Sequence, residues 1–150
     1  MKKSDPSTVI DALSHLLADT YLLYLKTQNF HWNVTGPNFI SLHLMFEEQY
    51  EQLSDAADLL AERLRALQSR APGSFTEFLK LAGLEEAGDE SNATEMVKTL
   101  LKDHETMAET INRMLHIAEE DGDEVTMDML IARKTEHDKV AWMLRATLGK

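Results

Sequence analysis

Residues 30–63 read FHWNVTGPNFISLHLMFEEQYEQLSDAADLLAER, and this run decides the fold. Gly36-Pro37 is a strong breaker pair and cuts it in two. After the break, no Pro or Gly interrupts the chain from Asn38 until Pro72-Gly73. That predicts one helix of about 31 residues, about 46 Å long at 1.5 Å per residue. Before the break, Ile10, Leu13, Leu17, Tyr21 and Tyr24 recur at helical spacing. They predict a first helix that follows Pro6, takes Ser7 as N-cap and ends near Val34. A link this short makes the two helices antiparallel neighbours.

The remainder is also helical, and no run of alternating β-branched residues suggests a strand. Ser74 and Glu77 have capping-box spacing and predict a short helix from Ser74 to Leu81. Residues 83–92 are acidic and polar and read as a loop. A third helix is expected from about Ala93 to Asp121, with Asn92 as N-cap and Glu95 three residues on. Its stripe is Val97, Leu100, His104, Met107, Ile111, Met114 and Ala118. Gly122 stops it, and a fourth helix runs from about Asp123 to Leu148. The chain is therefore all-α. It reads as a single domain over residues 1–150, with 1–6 as a short N-terminal arm.

Composition removes several classes of function. There is no cysteine, so disulfides, thiolate metal sites and cysteine nucleophiles are out. No stretch approaches the roughly 18 apolar residues of a membrane span. Lys2 and Lys3 have no apolar core behind them, so the start is not read as a secretory signal. A cytoplasmic protein is the expectation. The net charge of −11 repels phosphate backbones and attracts cations.

The chemistry lies on the second helix. His43 and Glu47 are four apart, as are Asp58 and Glu62. At 100° per residue all four share a stripe about 100° wide. Imidazole with carboxylates is a ligand set that suits iron. Yet Glu47 and Asp58 are about 16 Å apart along the axis, whereas metal ligands stand within about 2–2.5 Å of the ion. One chain thus carries two half-sites. A second copy packed antiparallel across a two-fold near Gln52-Leu53 would complete both, because an isologous contact is reciprocal. His31 joins the His43 half, since the Gly36-Pro37 turn folds it back. The intrachain di-iron alternative needs Glu three residues before a histidine. The residues there are Ala12, Gln28, Ile40, Leu101, Arg113 and Lys134, and none is Glu. His104, on an apolar stripe, is expected to be a hydrogen-bonded interior residue. His15, His116 and His137 have no evident partners. Glu48, Glu51 and Asp55 read as a solvated face.

The segments Asn29 to Phe39, Leu42-His43 and Asp58-Leu59-Leu60-Ala61-Glu62-Arg63 resemble the Dps family of mini-ferritins. The likeness extends over the chain, including the link of about 20 residues between the second and third helices and the Trp142-Met143-Leu144 tail. It implies a ferritin-like four-helix bundle with a short extra helix in that long crossover. It also implies a homododecameric cage that oxidises Fe(II), with hydrogen peroxide preferred to dioxygen, and stores Fe(III) mineral. The implied site is a non-haem, two-iron centre at the subunit interface. His31 and His43 come from one subunit, and Asp58 and Glu62 from its two-fold mate. Glu47 stands where well-known members carry Asp, and lies near the second iron position. The resemblance places Trp32 beside the site as an electron donor or radical quencher. It places Asp121, Asp123, Glu124 and Asp128 along an acidic pore that admits Fe(II), with Glu124 and Asp128 facing the channel. Some relatives coat DNA with lysine-rich arms. Here the termini offer only Lys2, Lys3 and Lys150, and twelve chains would carry about −132 charges, which argues against DNA binding.

Overall fold

The computed structural model describes residues 6–150, so the arm expected over 1–6 lies outside the described residues except for Pro6. Five helices and no strand are found among them: α1 Val9–Asn33, α2 Phe39–Ala66, α3 Phe75–Leu81, α4 Ala93–Glu120 and α5 Glu124–Thr147. Their starts are set by side-chain caps. Ser74 accepts from the Glu77 N–H and Asn92 from the Glu95 N–H, as the spacing predicts. At α1 the cap is Thr8 rather than Ser7, one residue later.

The main correction concerns the end of α2. It stops at Ala66, well before Pro72. Gln68 adopts φ 64°, and Ser69 N–H reaches back to Leu64 O while Gln68 N–H reaches Arg65 O. This is a Schellman stop, but with glutamine where glycine is usual. A side chain in the left-handed region costs roughly 1–2 kcal/mol. At the end of α4 the same pair of bonds forms around Gly122 at φ 70°, where no Cβ resists.

α1 packs along α2, and α4 along α5; α1 also touches α3 and α4, and α2 touches α5. The core between them is built from Leu13, Leu16, Leu23, Phe30, Phe46, Leu53, Leu60, Leu100, Met107 and Ile111, among others. All seven residues of the expected α4 stripe are buried. On α1 the stripe is rotated. Leu13 and Leu17 are buried, but Ile10, Tyr21 and Tyr24 are only half-buried. The deepest line runs through Leu16, Thr20, Leu23, Thr27 and Phe30. The reason is that α1 is covered on more than one side, and Tyr21 lies against Phe75 and Phe78 of α3.

The crossover is strapped to α1 by polar contacts. Asp19 accepts from the Gly83 and Leu84 N–H groups, at 2.7 and 2.9 Å. Lys26 Nζ donates to Glu85 O at 2.9 Å and pairs with Asp103 at 2.8 Å. Removing one partner of such a buried pair strands a charge and costs about 3–5 kcal/mol. Among the described residues no helix is long and apolar enough to cross a membrane.

Candidate metal centre

The α1–α2 turn brings His31 and His43 together. Gly36 sits at φ 115° in that turn, a conformation that suits a residue without Cβ. The two imidazoles stack at 3.8 Å, inclined by 12°. His31 Nδ1 donates to His43 O at 2.8 Å, and His43 Nδ1 donates to His31 O at 2.7 Å. A carbonyl oxygen only accepts, so each Nδ1 must carry a proton. With one proton per ring, Nε2 keeps its lone pair. Among the described residues nothing claims either Nε2. This is how a metal-binding histidine is fixed, with the far nitrogen tied to backbone and the near one free.

Two further rings wall the pair. Phe39 stacks on His43 at 5.0 Å, and Tyr50 makes a T-shaped contact with His31 at 5.1 Å. The sequence alone singles out neither, although positions 39, 43 and 50 share a helix face and that spacing is the signal. Glu47, one turn beyond His43, is half-buried. The Tyr50 hydroxyl is held above its usual pKa, by burial first and then by the charges of Glu47 and Glu51.

Asp58 and Glu62 do not join this group. They lie further along α2, both exposed, about 16 Å and about 22 Å past Glu47. Among the described residues no three His, Cys, Asp or Glu side chains converge as a metal cluster. The same stripe of α2 exposes Ile40 and Leu44, at 65% and 55%. Trp32, which follows His31, is 60% exposed. Ile40, Leu44 and Trp32 thus add exposed apolar area beside the two histidines.

At the α4–α5 corner the four acids differ in circumstance. Asp123 caps α5, accepts from the Thr126 N–H at 3.0 Å, and pairs with Arg63 at 2.8 Å. Hydrogen bonds from Thr126 and the Arg63 charge outweigh burial and hold its carboxyl below the usual range. Its charge is therefore spent inside the subunit. Asp121, Glu124 and Asp128 are exposed or half-exposed at the same corner, and the last two are one turn apart on α5.

His104 is interior, as its stripe implies, but His137 does have a partner. The two rings meet through Nδ1···Nδ1 at 2.9 Å, both buried. No sequence pattern marks this pairing, because it depends on the register of α4 against α5.

A family model described as Ferritin-like domain matches residues 10–150. DNA protection during starvation protein 2 of Bacillus anthracis is 38% identical over 142 residues, 95% of this chain and 97% of that one. A low-temperature-induced protein of Nostoc, itself uncharacterised, is 44% identical over 140 residues, 92% of this chain and 78% of that one. Among solved structures, a Dps protein from Bacillus brevis matches with a TM-score of 0.92 at 37% identity, covering 99% of each chain.

Proposed function

The chain belongs to the Dps family of ferritin-like proteins, and on that premise we propose that it oxidises Fe(II) at sites shared between two copies and stores the product in a dodecameric cage. The family stores iron. The observation that carries the finer reading is the clasp of His31 and His43. Each ring is locked by the other's carbonyl, and both Nε2 atoms are left for a metal.

In this reading Fe(II) is the substrate. His31 and His43 hold it from one subunit, and Asp58 and Glu62 of the partner subunit hold it from the other. Two carboxylates balance the 2+ charge. Glu47 adds negative charge on the His side, which favours the extra positive charge left when an electron departs. Trp32, beside His31, would be covered by the mate and lie close to the reacting ions. Peroxide takes one electron from each of two Fe(II) and, with two protons, becomes two waters. No hydroxyl radical is set free. Fe(II) would arrive through a pore lined by Glu124 and Asp128, whose carboxylates attract cations. Asp121 lies at its rim, and Asp123 holds the corner in shape through Arg63. The mineral would grow against inward-facing acids, for which Glu48, Glu51 and Asp55 are candidates.

Relatives named for DNA protection during starvation fit this chemistry. Consuming Fe(II) and peroxide together protects DNA without touching it. Direct contact is disfavoured by the −11 charge of each chain.

Stopped-flow mixing of the assembled protein with Fe(II) and peroxide, without air, tests the reading. Two Fe(II) should be consumed per peroxide, far faster than in protein-free buffer. A rate equal to that of buffer would overturn it.

A further inference from the structure

α5 buries Thr126, Leu130, Arg133, His137, Val140 and Leu144, a stripe of helical spacing. A guanidinium is out of place on such a stripe. It keeps its charge, because arginine is not deprotonated in proteins, and only 7% of Arg133 is exposed. Lys26, the buried lysine of the fold, has Asp103 at 2.8 Å. Arg133 has no carboxylate paired with it among the described residues. Its Nη2 makes one long contact, 3.5 Å to His137 Nε2, and its Nε is buried with nothing to donate to. A buried charge without a counter-charge is strongly destabilising, so an arginine in this position calls for an acceptor.

The groove between α2 and α5 supplies the place for one. Ala56 and Ala132 leave a gap of about 470 Å³, walled by Leu60 and Met129 and lined by Arg133. Nη1 has no protein acceptor and is not sealed off as Nε is, so it faces this space. Two carboxylates, Asp128 and Glu136, line the groove as well. Glu136 is near enough to favour the Arg133 charge, which burial opposes, but forms no ion pair with it.

We propose that this groove binds a small oxyanion that carries its own hydroxyl, of which hydrogen phosphate is the type, with Arg133 as the cation that holds it and Glu136 as the acceptor of its O–H. The proposal does not depend on the ferroxidase reading.

The two side chains act differently on an anion. The guanidinium gives charge-assisted N–H bonds to an oxyanion. Glu136 repels every anion, but its carboxylate accepts hydrogen bonds. Hydrogen phosphate has an O–H to give near neutral pH, and so does hydrogen arsenate. Sulfate and chloride have none, and meet the repulsion without the bond. Asp128 is exposed, and its repulsion is screened by solvent and salt. The chain's net charge of −11 opposes anions in general, so uptake is confined to the guanidinium.

The test is equilibrium dialysis of the assembled, iron-free protein against radiolabelled inorganic phosphate, near neutral pH and at fixed ionic strength. Saturable uptake is expected, with one site per chain. Arsenate should compete for it, and sulfate should compete at least about tenfold less well, for want of one hydrogen bond to a charged group. Arg133→Met should weaken uptake at least about tenfold. The fold should tolerate it, since an apolar side chain in place of a buried charge is often neutral or stabilising. Glu136→Gln should erase the preference for phosphate over sulfate. Any of three results would overturn the proposal: no saturable uptake, uptake unchanged in Arg133→Met, or sulfate competing as well as arsenate. A preference for phosphate that survives in Glu136→Gln would overturn it too. Should Arg133→Met fail to assemble, a crystal of the unsubstituted protein soaked in arsenate decides. An arsenic anomalous peak beside the Arg133 guanidinium upholds the site, whereas no peak there, or a carboxylate of a second copy in its place, overturns it.

Discussion

Replacing His31 and His43 together with glycine is expected to lower the rapid phase of Fe(II) oxidation at least about 100-fold, since losing even an outer partner of a metal ligand costs about 10–100-fold. The variant removes both free Nε2 atoms of each half-site and leaves Asp58 and Glu62 facing nothing that completes a ligand set. The fold should survive. The two imidazole–carbonyl bonds tie only the turn end of the α1–α2 pair, and each is worth about 1 kcal/mol net. The long interface below, with Leu23, Phe30, Phe46 and Leu53, is untouched. Stopped-flow absorbance gives the rate and light scattering gives the assembly. An unchanged rate in an intact assembly would remove His31 and His43 from the site.

The second large effect is on stability in mild acid. Burial pushes the His104 imidazole down to about 3, with the charge of Arg133 acting in the same direction. His137 is held well below its ordinary value by burial, by His104 and by Arg133. The hydrogen bonds agree with rings that stay uncharged. Arg133 donates to His137 Nε2 at 3.5 Å, so the His137 proton sits on Nδ1 and is shared with His104 Nδ1. The remaining proton of His104 lies on Nε2, which is buried without a partner among the described residues. An unfolded imidazole titrates near 6.5. Below that pH the unfolded chain takes up protons that the folded one refuses. Stability is therefore complete above about pH 6.5 and falls as pH drops toward 3. Each tenfold loss of proton affinity on folding is worth about 1.4 kcal/mol, and the two rings titrate as one coupled system, so the loss of stability amounts to several kcal/mol. Asp103 acts in the opposite sense: burial raises its carboxyl despite Lys26, so its contribution favours the acid side. Urea midpoints of the assembled protein at pH 5 and above isolate the histidines, because most carboxylates are ionised there in both states. A steep fall between pH 6.5 and 5 is expected, flattened by His104→Leu with His137→Leu. An equal slope in that variant would place the acid sensitivity elsewhere.

The parts of the molecule that are legible in the sequence share one property: they depend on residues close in the chain. The α4 stripe, the Ser74–Glu77 and Asn92–Glu95 caps and the Gly122 stop are all settled within a few turns. The parts that escape a sequence reading depend on how one element meets another. Gln68 stops α2 with a residue that seldom adopts positive φ, so no Gly or Pro announces it. The rotation of the α1 stripe follows from α3 docking on Tyr21. The His104–His137 contact follows from helix register. The acidic run at the α4–α5 corner does not reveal that Asp123 is taken by Arg63, 60 positions away. The candidate metal centre falls between these cases. Helical period alone puts His43, Glu47, Asp58 and Glu62 on one stripe, and the turn puts His31 beside His43. The carbonyl clasp and the walls of Phe39 and Tyr50 are tertiary, and have no separate mark beyond their spacing.

The central claim is that neither chain of a pair can do the chemistry alone, and mixing two inactive variants tests it directly. One variant is His31→Gly with His43→Gly, and the other is Asp58→Asn with Glu62→Gln. Each assembled alone should lack rapid Fe(II) oxidation. In a mixed pair one site has lost all four ligands, while the other recovers the histidines of one chain and the carboxylates of its mate. Co-refolding the two at equal amounts makes about half the pairs mixed, so about a quarter of the unsubstituted rate should return. Recovery to that level is the result the shared site requires. A co-assembly as inactive as its two parents would contradict it.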